Sequence, residues 1–476
     1  MARLAAMVVG LVAACTGAPS LVPCSDDDAC GRGDRLGRCE ADQRCSFADP
    51  SCPTGRRYDA DYAGEVAGVC VARELPTWLA VLGSAGDEGA DRVHVAYAPT
   101  SDRVLVLGVS AAPIEGYAEP GAFLITLDAA TGAYRAHRTF GNSGYGVHGL
   151  AALPDGGARA LVRTVGALTL DGVTVSSAGP SIWTFDRELV ARAALPIDAD
   201  GDLASQALRF DVGLVAGTIV DGGVALGART ITAPADRVVA WVARHDGATW
   251  GPARALDTTA TPVAIDALLD MPGGAALAGT LKGTLTVDGT ATAIVAPTGG
   301  GGADGFTLTL DASLTASGGR AYAVGAGVFA IAGLTEDGAD PVAYGQLRGA
   351  VGGFPTCATT GAALAGPAGA QALWSSCELA AVDAASIADD DAVVAGPVAD
   401  GAEVRRLVRD GAGWRDTDTA WRLRGDVHVL TTALRRGPDG TTQAIVAGWF
   451  AGEVDFGGAL RTAAGADWFV AAYRLP

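Results

Sequence analysis

From Thr77 to the C-terminus the chain alternates apolar and small or polar residues in short bursts, and tight-turn sequences separate the bursts. Pro99-Thr-Ser-Asp102, Pro154-Asp-Gly-Gly157, Met271-Pro-Gly-Gly274 and Gly437-Pro-Asp-Gly440 are examples. Alternation with a period of two places successive side chains on opposite faces of a strand, and Pro, Gly and Asp supply the turn conformations between strands. No stretch carries a sustained helical period with caps, so the pattern predicts an all-β chain.

The bursts repeat. Seven stretches share one order of parts: strand, tight turn, strand ending near Ala-Gly, hairpin, alternating strand, final strand. The second strands are read at Val104–Gly108, Ala160–Val165, Leu214–Gly217, Ala275–Gly279, Val328–Gly333, Ala392–Gly396 and Ala444–Gly448. Their spacing of roughly fifty to sixty-five residues is the period of propeller blades and not of helical solenoids. The third strands AFLITLD, SIWTFD, RVVAWVARHD, DGFTLTLD and DWFVAAYR match one another. The expected fold is a β-propeller over 76–476, with seven four-stranded blades. The last repeat stops at Tyr473–Pro476 without a fourth strand, while an orphan strand, Thr77–Gly83, opens the series. Pairing the two would close the ring and leave no free sheet edge between first and last blades.

The last repeat, with Val446-Ala-Gly-Trp-Phe450, Asp455-Phe-Gly-Gly458 and Asp467-Trp-Phe-Val-Ala471, resembles bacterial seven-bladed propeller repeats of the type VAGxF…DFGG…DxFVA. Repeat five departs from the pattern. Between Gly333 and Ala392 it turns Gly/Ala-rich and carries Cys357 and Cys377, read as a disulfide across a degenerate blade or inserted loop. That irregularity leaves six or eight blades open.

The N-terminus changes the picture from fold to address. Met1–Cys15 reads MARLAAMVVGLVAAC, with Arg3 before an apolar run and small residues before Cys15. It resembles a bacterial lipoprotein signal. The resemblance implies removal of 1–14, lipidation of Cys15, a tether over 15–23, and attachment at the outer membrane or cell surface. The alternative is an ordinary secretory signal cut near Ala18. Cys24, Cys30, Cys39, Cys45, Cys52 and Cys70 then crowd into 24–72. They read as a disulfide module, because so short a segment buries too little apolar surface to hold itself together. No Cys-x-x-Cys and no histidine accompanies them, which disfavours zinc, and sequence leaves their connectivity open. The element Cys52-Pro-Thr-Gly-Arg-Arg-Tyr58 resembles cysteine-rich modules of predicted lipoproteins from high-GC Gram-negative bacteria, which supports location more than activity.

Charge and composition exclude more than they assign. Net charge is −19, with Lys282 the only lysine, so phosphate backbones would be repelled and nucleic acid is not an expected partner. Mean hydropathy is +0.27, yet beyond the leader no unbroken apolar run is long enough to span a bilayer. Arg32-Gly33-Asp34 is read as a turn. Asp198-Ala-Asp-Gly-Asp202 lacks a calcium loop's closing Glu, since Arg209 stands there, and is read as an acidic turn, as are Asp26–Asp28 and Asp389–Asp391. Leu127–Gly132 is read as a β-turn. His94, His137, His148, His245 and His428 are dispersed, with His94 and His428 near strands that would line a propeller channel. No hydrolase elbow, phosphate loop or dinucleotide fingerprint is present.

The sequence therefore predicts a lipid-anchored, non-catalytic binding or adhesion scaffold with no catalytic residues, metal or cofactor. Its expected partners are the membrane through the anchor and a surface protein or polysaccharide. The alternative is an exported propeller hydrolase or lyase acting on polysaccharide at the channel mouth, which requires several His, Asp, Glu or Arg side chains converging near the axis.

Overall fold

The computed structural model describes residues 24, 28–31, 37–39, 44–49, 52, 56–60, 63–64, 67–69, 75–83, 93–110, 112–114, 120–141, 146–199, 202–203, 208–295, 304–324, 327–348, 351, 354, 356–357, 360–366 and 372–475. Cys15, Cys70 and Arg32–Asp34 lie outside them. The chain divides into two compact units, Met1–Leu75 and Pro76–Pro476. Among the described residues no helix is long and apolar enough to cross a membrane.

The first unit holds a three-stranded antiparallel sheet of Arg38–Cys39, Cys45–Ala48 and Arg56–Tyr58. Its apolar core is small, with Tyr58 and Ala63 buried against Ala67. Disulfides Cys24–Cys39 and Cys30–Cys45 tie the sheet to the preceding turn, and Cys52 is also disulfide-bonded. The sulfurs of Cys24, Cys30 and Cys39 lie within 4.8 Å of one another, but all three are spent in disulfides and offer no thiolate to a metal.

Among the described residues the strand pairing of the second unit follows seven successive antiparallel meanders of four main strands, some joined through shared long strands and some carrying additional short strands. Meander 1 runs through Val93–Ala98, Arg103–Ser110, Gly121–Asp128 and Tyr134–Gly141. Meander 2 uses Gly146–Ala152, Ala158–Thr164, Gly179–Phe185 and Ala191–Pro196. Meander 3 starts at Arg209–Asp211, passes Leu214–Leu226 and Arg229–His245, and ends in the first part of Trp250–Met271. The second part of that long strand opens meander 4, which continues through Gly274–Val287, Asp304–Asp311 and Ala316–Ala321. Meander 5 comprises Gly327–Asp337, Asp340–Arg348, Thr360–Ala365 and Ala372–Ser376. Meander 6 uses Ala384–Ala388, Asp391–Val398, Gly401–Asp410 and the first part of Gly413–Arg436. The second part opens meander 7, followed by Thr442–Asp455 and Leu460–Arg474. Its fourth strand is Trp78–Leu82, from the other end of the unit.

Seven apolar clusters join these sheets, each shared by two consecutive meanders, and the last joins meander 7 to meander 1. The period-two alternation makes this possible. In Thr442–Asp455, Ala444 and Val446 enter the cluster shared with meander 6, while Ile445 and Ala447 enter the one shared with meander 1. Both faces are buried, so the strand reads as an unbroken apolar run. The sheets stack in a closed series. The fold is a β-propeller.

Closure is built as the pattern predicts. Trp468 pairs with Leu82 and Ala472 with Trp78, and the Thr77 amide donates to the Ala472 carbonyl at 2.6 Å. The Trp78 indole N–H donates to the Ala129 carbonyl at 3.0 Å, so the Leu127–Gly132 turn seats the closing strand. Asp128 holds that turn by accepting from the Ala130 and Thr131 amides. On the same interface the Arg435 guanidinium, 5% exposed, grips Asp102 through Nε and Nη2, both at 2.6 Å.

The fifth repeat corrects the sequence reading. Val328–Gly333 lies in the inner strand, Gly327–Asp337, and the second strand is Asp340–Arg348. In four of the second strands a glycine sits where neighbouring backbone presses on it. A Cβ would stand 1.9 Å from the Ala264 carbonyl oxygen at Gly279, from Ala381 at Gly396 and from His428 at Gly448. Gly345 meets Ala330 in the same way, at 2.1 Å, whereas Gly333 faces the Tyr344 ring. Meander 5 therefore keeps four main strands, with the short strand Ala323–Val324 paired to Gly327–Asp337 at its inner edge, and Cys357–Cys377 staples its outer hairpin.

Two outcomes test this packing. Trp468, 1% exposed and tilted against Phe123 at 5.5 Å, fills the closing interface. Trp468→Ala should cost about 3–5 kcal/mol in urea unfolding. Replacing Cys357 and Cys377 by Ser should cost about 3 kcal/mol, the chain-entropy value for a loop of this size, and a stability equal to wild type would count against the staple.

Candidate functional site

The first strand of each meander is its inner edge, beside the axis of the ring. At that edge an antiparallel ladder leaves one side of the backbone unpaired, so a side chain displaced from the ladder can face the axis. Four inner strands carry a β-bulge at one matching register, opposite the residue that ends the apolar run of the second strand. The bulged residues are His148, Asp266, Ala332 and Leu430. Ala332 is exposed and Leu430 is 40% exposed although both belong to inner strands, as expected of residues re-aimed at open space.

Meanders 1 to 4 bring polar groups together there. His94 lies on Val93–Ala98, His148 on the next inner strand, Arg209 on the third and Asp266 on the fourth. His94 interacts with His148 and Arg209, and its ring hydrogen-bonds the backbone of Val147. Burial and the neighbouring cations push both His94 and His148 down to about 4, so both are neutral at pH 7. The cation beside His148 is Arg163. Among the described residues His148 Nε2 is buried with no hydrogen-bond partner. Arg209 is fixed by donating to the Asp266 carbonyl at 2.7 Å and the Leu208 carbonyl at 3.2 Å. Burial raises the Asp266 carboxyl, opposed by Arg209. Further round, His428 stacks on Trp449 with centroids 4.2 Å apart, and burial raises Asp383, opposed by His428.

A second polar group gathers where inner strands turn into second strands. Asp211 accepts from the Asp270 amide at 2.7 Å, and Arg244 donates to Asp270 at 3.0 Å. Burial pushes Asp211 up to about 6, with Asp270 and Glu336 adding like charge.

The remaining sequence candidates are structural. His245 packs between Phe210, stacked at 5.5 Å, and Trp250, edge-on at 6.1 Å, and is buried between meanders 2 and 3. His137 is engaged by the Tyr134 hydroxyl at 2.6 Å. Asp198–Ala199 and Asp202–Leu203 are short strands paired to Leu214–Leu226, and Arg209 lies at the axis. The acidic run at 389–391 is a turn with Asp389 and Asp390 exposed, and each carboxylate has an arginine partner: Asp389 pairs with Arg436 and Asp391 with Arg406, both at 2.7 Å, and Asp390 with Arg409 at 3.8 Å. Asp26 and Asp27 lie outside the described residues, while Asp28 begins a short 3-10 turn. The sequence singled out His94 and His428 but missed the grouping of His148, Arg163, Arg209 and Asp266. Its usable signal was the shared register of the bulges.

No family model and no curated protein matches this chain. Solved structures similar to it are propellers. The Neurospora crassa Pan2 WD40 domain shares 10% identity over 85% of this chain and 96% of that one, at a TM-score of 0.45. Saccharomyces cerevisiae Sqt1 shares 9% over 85% and 99%, at 0.43. The β-propeller domain of the Trilobed protease from Pyrococcus furiosus, which has an open velcro topology, shares 9% over 75% and 90%, at 0.41. Scores this low carry no weight for function, and the fold stands on its own strand pairing and closed series of interfaces.

Burial of neutral histidines makes stability depend on pH. His245 is pushed down to about 4 by burial and by Arg159. Between about 4 and the ordinary 6.5 the unfolded chain binds the extra proton, so stability is complete above 6.5 and falls as pH drops through this window. His245→Phe should flatten that fall by up to about 1.4 kcal/mol per pH unit, read from urea midpoints at several pH values. An unchanged slope would show that His245 does not titrate on unfolding.

Proposed function

We propose that this chain is an exported bacterial lipoprotein, held by an acylated Cys15 at the outer membrane or cell surface. Its propeller serves as a non-catalytic binding scaffold. The observation that carries the binding half is the convergence of His94, His148, Arg209 and Asp266 from four successive inner strands, because side chains fixed by four separate strands form a preorganised surface. The anchoring half rests on the leader sequence and on the order of the chain. In the chain the cysteine-rich unit ends at Leu75, and the ring-closing strand begins at Trp78. A surface protein or a polysaccharide fits this reading as partner.

The same convergence favours a second reading, an exported hydrolase or lyase acting on polysaccharide. Imidazole and carboxyl groups that titrate away from their ordinary values at a channel are what acid–base chemistry requires. The scaffold reading is preferred because burial and neighbouring arginines hold both imidazoles neutral well below pH 7, which makes them weak general bases.

Metabolic labelling with a radioactive fatty acid should mark the wild type and not Cys15→Ser. Crosslinking on intact cells should then capture a partner with the wild type. Label retained by Cys15→Ser would remove the anchor, and turnover of a polysaccharide by the purified protein would replace the scaffold with the enzyme.

A further inference from the structure

We propose that the axial edge of meanders 5 to 7 binds an amino sugar, with its ammonium group against Asp383 and its ring against the stacked rings of His428 and Trp449. The assignment names the ligand class for the scaffold reading and rests on it. Asp383 precedes the inner strand Ala384–Ala388, and the glycine contacts fix its register. Gly396 lies beneath the Ala381 carbonyl as Gly448 lies beneath that of His428, and Ala384 pairs with Ala395 as Thr431 pairs with Ala447. Asp383 therefore stands where the next inner strand carries its bulged residue, Leu430, and where meander 4 carries Asp266. The Val382 amide donates to the Gly345 carbonyl at 3.2 Å, which sets Asp383 beside Tyr344. Burial and the charge of Asp383 push the Tyr344 hydroxyl up to about 12.

Asp383 lacks what comparable carboxylates of the ring possess. Asp270, Asp337 and Asp391 each pair with an arginine. Among the described residues the Asp383 carboxylate makes neither a hydrogen bond nor an ion pair, and the basic group acting on it is His428, which lies 3.5 Å from Asp426. Burial raises the Asp383 carboxyl because its charged form is under-solvated, and a bound cation relieves that cost. A chain of net charge −19 also draws cations toward it. The surroundings suit a ring more than a bare ion. His428 and Trp449 stack with their planes 12° apart and form a flat aromatic wall, while Leu430 and Ala332, both exposed, add apolar surface at the same register. Apolar and aromatic walls with a few placed polar groups are the usual make-up of a small-ligand site, and the Tyr344 hydroxyl offers one more polar contact. An amino sugar brings an apolar C–H face for the wall and an ammonium for the carboxylate. A metal suits the place less well, since among the described residues the only set of three such ligands within 4.8 Å is the disulfide-bonded cysteines.

Isothermal titration of the full-length protein with glucosamine, with N-acetylglucosamine and with cadaverine tests this at pH 7. Acetylation keeps the ring and removes the charge, whereas cadaverine keeps the charge and removes the ring. Saturable binding of glucosamine, tighter than cadaverine and with none of N-acetylglucosamine, is expected. Asp383→Asn should weaken it by about tenfold or more, and Tyr344→Phe by about fivefold. Asp383→Asn removes an unpaired, half-buried charge and should melt no lower than the wild type, so its loss of affinity reports on binding. No saturable heat with glucosamine, equal affinity for the acetylated sugar, or unchanged affinity in both variants overturns the assignment. Cadaverine binding as tightly as glucosamine overturns the sugar in favour of a lysine side chain on a protein partner. A crosslinked partner that persists in cells carrying Asp383→Asn, from a protein that binds no glucosamine, overturns the axial site and leaves the scaffold standing. Absence of both overturns the scaffold as well.

Discussion

The structure depends on one non-local pairing, that of Trp78–Leu82 with Leu460–Arg474. Every other sheet is made by strands near one another in sequence, whereas this one joins the two ends of the unit. Bringing such distant segments together costs entropy, but the cost rises only slowly with length and falls when the intervening meanders are already stacked. The local contacts therefore favour formation of the meanders before closure. Without the closing strand, the last sheet would expose an unpaired edge and the first interface would lose Trp78 and Leu82.

Charge pairs repeat the closure logic at other interfaces. Arg435 with Asp102, Arg409 with Asp337, Arg436 with Asp389 and Arg138 with Asp171 each link neighbouring meanders. Exposed pairs of this kind contribute little. The buried Arg435 differs, because Gln443 and Asp102 together satisfy its guanidinium, so breaking that pair would leave a charge without compensation. Arginine's planar fork suits these two-point contacts better than lysine's ammonium. Arginine in place of lysine thus has a use within the ring.

The architecture was legible because its determinants are local: alternation, turn residues and the glycine beneath an inner-strand carbonyl. The orphan strand at Thr77 could be matched to the unfinished last repeat for the same reason. Repeat five was misread because Val328–Gly333 ends in Ala-Gly-like sequence on an inner strand, and composition does not distinguish Gly333 beside Tyr344 from Gly345 beneath Ala330. The axial group was only half legible. His94 could be placed on an inner strand, but His148 and Asp266 become neighbours of it through a bulge register, and a bulge leaves no residue type as its mark. Arg209 was weighed solely as a missing calcium ligand, when its role depends on which strand lies next to it.

Neutral histidines beside arginines are the more informative half of that group. Two further permanent cations in their place would repel the neighbouring arginines and one another. Imidazoles held near pKa 4 avoid this repulsion. They add hydrogen-bonding capacity without charge. The bulge at His148 costs one ladder hydrogen bond and strengthens the local twist, a sacrifice the other interfaces do not all make. The same bulge recurs on three other inner strands, so what sets His148 apart is the buried nitrogen without a hydrogen-bond partner among the described residues.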